Sequence, residues 1–387
     1  MTDQDYMRRA IELAKRGVGA TNPNPLVGAV IVKDGRVIAE GYHARYGELH
    51  AERNAIANLK ESAEGATIYV TLEPCCHYGK QPPCTEAIIG QKIAKVVIGS
   101  ADPNPQVSGK GVRILREAGI EVVTDFLREE CDALNEVFFH YITTKMPYVV
   151  MKYAMTADGK IATKTGASKW ITSETAREEV QKMRYTYMGI LAGIGTVLAD
   201  DPMLNVRLEG RRSPVRIICD SHLRIPLDSQ ICKSARDYQT IVAYADVERR
   251  RNDGQRGQED RTADRYGDQP IAQKRKALCG LGIETVECGD ETGKIDLKKL
   301  MRLLGEKGID SILLEGGGTL NESALRAGIV QKIYTFIAPK IFGGEGAKTP
   351  VAGAGVNVPD EAYTLQLQEV KTIGEDLLLT YEVEKKD

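Results

Sequence analysis

Residues 71 to 84 read TLEPCCHYGKQPPC, placing three cysteines, a histidine and three prolines in fourteen positions. A thiol cluster of this kind is a disulfide staple, a patch of buried sulfur, or a metal site. The chain's eight cysteines make no secreted disulfide framework, since Cys219, Cys232, Cys279 and Cys288 lie scattered far from the cluster. A metal site makes the strongest demand on architecture, because its ligands must come from separate elements that meet at one point.

The surrounding pattern predicts such elements. Met7, Ala10, Ile11 and Ala14 recur at helical spacing over residues 5 to 16. VGAVIVK, the Asp34-Gly35 turn and RVIAEGYH predict a β-hairpin, since Asp-Gly supplies the positive φ of a type I′ turn. HAERNAIANLK reads as a helix, ATIYVTLE as a strand, the stretch from Cys84 to Ile89 as a helix and AKVVIGS as a strand. GKGVRILREAG and IEVVTD follow as helix and strand. The alternation predicts an α/β layer. ECDALNEVFFHYIT is helix-rich and ends before Pro147, which disfavours helix in the residue it follows.

With 387 residues the chain is long enough for two domains, and we expect them at 1–146 and 147–387. A second series runs through YVVMKYAMT, MGILAG, PVRIICD, QTIVAYA, DSILLEGGGTL, IYTFIAPK and DLLLTYEVE. Residues 246–276 interrupt it with nine basic and seven acidic side chains, and this stretch reads as a solvated, mobile loop.

A net charge of −2 and 6% aromatic residues offer neither the basic groove nor the stacking platforms that nucleic-acid strands require. No apolar run reaches the length of a membrane span, and MTDQDYMRRAIELAKRG lacks a signal-peptide core. The expectation is a cytoplasmic protein with no nucleic-acid or membrane partner.

A zinc ion that activates water takes three protein ligands and keeps one open position. Zinc deaminases of bases combine H-x-E with a later P-C and a second cysteine. His50-Ala51-Glu52, Pro74-Cys75 and Cys84 supply these types in this order, on a helix start, a strand end and a second helix start. The eight residues between Cys75 and Cys84 exceed the common two, so spacing alone is weak evidence.

NPNPLVGAVIVKDG, the E-P-C-x-H-x-G segment, P-P-C and DPNPQVSGKG closely resemble the deaminase domain of bifunctional riboflavin-biosynthesis deaminase-reductases. The resemblance implies a cytidine-deaminase-like three-layer α/β domain. It implies that His50, Cys75 and Cys84 hold Zn²⁺, that Glu52 shuttles protons, and that Asn24, His43, His77 and Lys80 bind a pyrimidine ribose phosphate. Cys76 stands where the family usually has serine and is expected to be a bystander. Arg53-Asn54 also departs from the family's commoner apolar-His pair.

In the second half, Gly316-Gly317-Gly318 before a predicted helix could cradle a phosphate or form a plain tight turn, and lacks the G-x-G-x-x-G spacing. MKYAMTADGKIATKTGASKWITSETAR, GIGTVLADDPMLNVR, ICDS and LLEGGGTLN are similar to the reductase domain of the same family, whose fold is dihydrofolate-reductase-like α/β. The resemblance implies NADPH contacts at Ala154, Trp170, Thr196, Asp200, Ser221, Gly317, Gly318 and Thr319. It implies substrate contacts at Ser168, Arg184, Leu204, Arg207 and Glu315, with guanidinium forks suited to phosphate. Lys152 is a candidate for polarising the sugar. A homo-oligomer, dimer or tetramer, is expected.

Two other readings stand beside this one. In the first, a nucleic-acid-editing deaminase is joined to a binding module, which the charge and aromatic content oppose. In the second, residues 146 to 387 are an inert dimerisation scaffold, which the cofactor motifs oppose.

Overall fold

The computed structural model describes residues 1–245 and 271–384. The chain divides into two compact units, Met1–Lys145 and Met146–Asp387. Among the described residues no helix is long and apolar enough to cross a membrane.

The first unit opens with α1 (Asp3–Lys15), whose start is a capping box: Thr2 Oγ1 accepts from Asp5 N–H and the Asp5 carboxylate accepts from Thr2 N–H. β1 (Gly28–Lys33) and β2 (Arg36–Tyr42) pair antiparallel across Asp34 and Gly35, which take φ of 50° and 73°. Then come α2 (Ala51–Ala57), β3 (Thr67–Leu72), α3 (Cys84–Gly90), β4 (Lys95–Ser100), α4 (Lys110–Glu117), β5 (Glu121–Val123), α5 (Arg128–Asp132) and α6 (Glu136–Thr144). The sheet order is β2-β1-β3-β4-β5, with β3, β4 and β5 parallel.

Alternate residues of β1 feed two cores, as the twofold period of a strand requires. Ala29 and Ile31 pack with Ala51, Ala55, Ile88 and Leu115 from the helices on one face. Val30 and Val32 pack with Met7, Ala10 and Cys131 on the other. The result is three layers. A Cβ on Gly41 would overlap Ala55 N and Ala51 O, so glycine lets α2 lie directly on β2. That seat fixes where the residues at the start of α2 point.

The second unit contains β6 (Tyr148–Thr156), α7 (Glu174–Thr186), β7 (Gly189–Gly193), α8 (Ile194–Asp200), β8 (Val215–Cys219), α9 (Gln230–Lys233) and β9 (Thr240–Tyr244). After the undescribed stretch come α10 (Ile271–Gly280), β10 (Glu284–Glu287), α11 (Leu297–Glu306), β11 (Ser311–Leu314), α12 (Gly318–Arg326), β12 (Val330–Ala338), β13 (Leu365–Ile373) and β14 (Asp376–Val383). The nine-stranded sheet runs β10-β9-β8-β7-β11-β6-β12-β14-β13. Its strands are parallel from β10 to β12, and an antiparallel pair closes the edge.

One expectation is corrected here. Residues 271–276 are not loop but the first turns of α10, which buries Leu278 beside Ile231 and Tyr244. Their charges occupy the exposed side of a helix, which a count of charge alone reads as loop. Residues 246–270 of the same charged stretch lie outside the described residues.

Candidate active sites

In the first unit, His50 is the N-cap of α2 and Glu52 lies in that helix's first turn. Cys75 follows the end of β3 and Cys84 is the first residue of α3. His50 Nδ1 is 3.4 Å from Cys75 Sγ and 3.5 Å from Cys84 Sγ. The three donor atoms all lie within 4.8 Å of one another. Backbone closes the gap between the cysteines: Cys84 N–H donates to Cys75 O at 3.0 Å and toward Cys75 Sγ at 3.4 Å.

The Cys75 thiol is drawn down, chiefly by its hydrogen bond with the Cys84 thiol and further by His50 and the Cys84 N–H, while the same hydrogen bond and burial push the Cys84 thiol up. A thiolate is therefore favoured at Cys75, where a metal ligand needs one. Glu52 is buried, and burial pushes its carboxyl up to about 7. Two sulfurs and an imidazole converging beside a carboxyl suit zinc in both donor type and number. Cys76 is half-buried, with its Sγ directed at Gln106 O, and is not part of this group.

The donor set opens on a cavity of about 260 Å³ whose lining includes Asn24, His43, His77 and Lys80. The Asn24 amide donates to His43 Nε2 at 3.1 Å while His43 Nδ1 donates to Leu49 O at 3.0 Å, an arrangement that fixes one neutral tautomer. Burial lowers the His43 pKa in agreement. His77 lines the cavity, and its Nδ1 is buried with no hydrogen-bond partner. Lys80 Nζ sits 3.9 Å from the centre of the Tyr46 ring.

Glu73 and Asp102, which sequence reasoning did not single out, also line the cavity. Glu73 accepts from Gly109 N–H at 3.0 Å and Val112 N–H at 3.2 Å, capping α4 and anchoring the chain just ahead of Cys75. Gly111 permits this, since a Cβ there would overlap Pro74 O. Burial raises the Asp102 carboxyl to about 6. The signal for both was present in the quoted E-P-C and D-P-N-P segments.

In the second unit the candidates gather along one edge. Ala154 lies near the carboxyl end of β6, Thr196 just after β7, Ser221 just after β8 and Glu315 just after β11. These four strands are parallel neighbours in the order β8-β7-β11-β6. The crevice outside the carboxyl ends of parallel strands is where such sheets receive ligands. Gly317 caps α12, and a Cβ on it would face Thr196 Oγ1 at 3.9 Å. Gly318 has a packing reason as well, because a Cβ there would meet Thr349 O at 2.7 Å.

Trp170 is exposed, with the Arg177 guanidinium 4.6 Å from its ring centre, and Lys340 Nζ donates to the carbonyls of Trp170 and Ile171. Asp200 ends α8, Ser168 lies in the loop before Trp170, and Thr319 is in the first turn of α12. The Leu204 side chain is turned into the core and only 4% exposed. Arg207 is exposed. The Arg184 fork, expected to face phosphate, is engaged by Glu315 at 2.6 Å from Nε and 3.1 Å from Nη2, with Nη1 donating to Asn205 O. Lys152 Nζ lies 3.7 Å from the same carboxylate. Burial would raise the Glu315 carboxyl, but Arg184 and Lys152 outweigh it and hold it at about 2.

Comparison with known proteins gives this geometry its context. Residues 1–100 match the family described as the cytidine and deoxycytidylate deaminase zinc-binding region, and residues 147–379 match the RibD C-terminal domain. Over 383 residues the chain is 53% identical to riboflavin biosynthesis protein RibD of Actinobacillus pleuropneumoniae, covering 99% of this chain and 96% of that relative. The chain belongs to the RibD family.

It is also similar to Acinetobacter baumannii RibD, with a TM-score of 0.84 at 36% identity, covering 99% of both chains. A Thermotoga maritima structure titled diaminohydroxyphosphoribosylaminopyrimidine deaminase/5-amino-6-(5-phosphoribosylamino)uracil reductase superposes with a TM-score of 0.81 at 38% identity, covering 98% of each. As a RibD-family protein the chain is a bifunctional enzyme of riboflavin biosynthesis, combining a deaminase domain with a reductase domain.

Proposed function

We propose that the first unit, as the deaminase domain, hydrolytically deaminates 2,5-diamino-6-ribosylamino-4(3H)-pyrimidinone 5′-phosphate. The second unit, as the reductase domain, then reduces the ribosyl side chain with NADPH to give 5-amino-6-ribitylamino-2,4(1H,3H)-pyrimidinedione 5′-phosphate. The observation that carries this reading is the convergence of His50, Cys75 and Cys84 on one another, with His50, Cys75 and buried Glu52 lining the cavity and Cys84 buried behind them. The titled activity of the Thermotoga maritima relative supports the choice of substrate.

His50, Cys75 and Cys84 would hold the zinc ion, which when bound would supply a water with its pKa lowered toward ~7. Glu52, buried beside the donor set, would accept a proton from the attacking water and return it to the departing amine, which would leave as ammonia. Burial raises the Glu52 carboxyl, which favours its holding a proton between the two transfers. Asn24 and His43 form a hydrogen-bonded pair on the cavity wall, and His77 and Lys80, which line the same cavity, are proposed to meet the ring and the phosphate.

NADPH supplies the hydride for the reduction. Its support is the carboxyl edge at Ala154, Thr196 and Ser221, the helix start at Gly317, Gly318 and Thr319, and the exposed Trp170 ring, with Asp200, at the far end of α8, proposed to join them. Ser168, Arg207 and the backbone of Leu204 are proposed to contact the substrate. Arg184 acts mainly by orienting Glu315, and Lys152 is the group beside that carboxylate able to polarise the opened sugar. Eight cysteines free of disulfides suit a cytoplasmic setting, and the enzyme is proposed to work there as a homo-oligomer.

The test is to incubate purified protein with the diaminopyrimidinone ribotide, with and without NADPH, and follow both products. The deaminated ribotide should accumulate without NADPH and the ribityl product should form with it. Absence of the deaminated ribotide in both samples would refute the assignment.

A further inference from the structure

Two of the three metal-site elements are joined by a side chain that is neither ligand nor proton shuttle. Arg53 stands on α2, next to Glu52 and three residues beyond His50. Its Nε donates to Pro82 O at 2.9 Å and its Nη2 to Pro83 O at 2.8 Å. Pro83 is the N-cap of α3, and Cys84 follows as that helix's first residue.

The chemistry of the tethered segment makes these bonds consequential. Two consecutive prolines have no N–H to give, so this stretch can be tied down through its backbone only by its carbonyls. A planar guanidinium, with donors in a fixed fork, can reach two adjacent carbonyls at once. Cys84 N–H and Thr85 N–H hold the far side of the junction to Cys75 O, at 3.0 and 3.2 Å, so the Arg53 fork is the tie from α2 to the carbonyls just before the ligand; Gln81 Nε2 donating to Gly47 O at 3.2 Å and the Tyr78 hydroxyl donating to Glu86 lie farther away.

We propose that Arg53 is a positioning residue for the metal site, locking the loop that presents Cys84 to the helix that presents His50 and Glu52, and thereby slowing metal release. For the metal to leave, Cys84 must swing away from His50 and Cys75. The clamp opposes that movement, because the carbonyl immediately before Cys84 would have to leave the guanidinium.

The inference rests on His50, Cys75 and Cys84 being the zinc ligands, and the experiment separates the two ideas. Full-length, zinc-loaded protein is mixed with excess chromogenic chelator and zinc release is followed over time. Arg53→Met keeps the length of the stem but removes both donors, and should release zinc about 10- to 100-fold faster than wild type. Arg53→Lys retains charge but cannot fork to both carbonyls, and should fall between the two. With cobalt in place of zinc, the thiolate-to-cobalt absorption of Arg53→Met should reach wild-type intensity only at higher cobalt concentration.

Release indistinguishable from wild type in both variants overturns the clamp. Equal acceleration in both, accompanied by a lowered melting midpoint of the zinc-free protein, also overturns it by assigning Arg53 to general stability. Wild-type protein that binds no zinc defeats the metal-site reading itself, whereas zinc-holding wild type with unaltered variants defeats the clamp alone.

Discussion

Glu315 accepts both prongs of the Arg184 fork, 2.6 Å from Nε and 3.1 Å from Nη2, although the two residues are 131 positions apart. With Lys152 Nζ 3.7 Å away, the carboxylate balances two buried cations at the carboxyl edge of the second sheet. Glu315→Gln should impair reduction while deamination continues, so that the deaminated ribotide accumulates with NADPH present. Arg207→Ala should give the same product pattern, and zinc chelation should stop deamination while sparing reduction of supplied intermediate. Product analysis of the three samples decides. If chelation abolishes that reduction, the two reactions share parts.

The same carboxylate sets an acid response. Its pKa is about 2 in the folded protein against an ordinary 4.5, so its stabilising effect is complete above 4.5 and is lost as pH falls through 2. The shift corresponds to roughly 3 kcal/mol. Melting midpoints of Glu315→Gln should lie below wild type at neutral pH and converge on it in acid. Parallel curves would contradict the ion network.

For Glu52, the amide in Glu52→Gln preserves shape but carries no transferable proton. Deamination should fall by about 10²- to 10⁴-fold with zinc content unchanged. Zinc lost in proportion to turnover would mean that Glu52 is needed for the metal rather than for the proton.

Cys84→Ser should lower zinc occupancy sharply, since a hydroxyl is a poor substitute for a soft thiolate. Cys76→Ser should leave zinc and deamination near wild type, because its sulfur is directed at Gln106 O and away from the donor group. Metal analysis of both purified variants is the check. Equal loss would redraw the ligand set.

Asp102 shifts the other way from Glu315. Burial raises its carboxyl from 3.8 to about 6, so the folded state holds an extra proton between these values. Stability therefore falls as pH rises through that window, by up to about 3 kcal/mol, and stays reduced above it. In the zinc-free chain, Asp102→Asn should melt close to wild type near pH 4, progressively above it as pH rises from 4 to about 6, and by a constant margin beyond that. The Asn104 N–H that bonds Asp102 Oδ1 at 2.8 Å can still bond the amide oxygen. A midpoint difference independent of pH would show that the buried charge is relieved in some other way.

What the sequence exposes is local period and chemical type. Met7, Ala10, Ile11 and Ala14 mark α1, Asp34-Gly35 marks the hairpin, and the order of His50, Glu52, Cys75 and Cys84 marks the metal group. α11 carries the helical period at Leu297, Leu300, Met301 and Leu304, a signal fully present in the residues. β13 hides itself because its register shifts between Leu367 and Glu369, which breaks the alternation that would reveal a strand, and its residues are mostly exposed. β10 is four residues long and buries only Val286. The Arg53 fork, the Glu73 cap and the Arg184–Glu315 pair join positions 29 to 131 apart, and no local pattern encodes such pairings.

Because Cys84 N–H is bonded back to Cys75 O, the eight residues between the two cysteines begin and end at nearly the same point in space. Such a stretch is an Ω-like excursion with closely spaced ends, held at its flanks by Tyr78, Gln81 and the Arg53 fork and leaving Gly79 and Lys80 at its tip. Its middle carries His77 and Lys80 toward the cavity while its ends carry the sulfurs. Substrate preference can therefore drift by exchange, insertion or deletion at the tip without disturbing coordination, a separation that the shorter two-residue spacing has no room to provide.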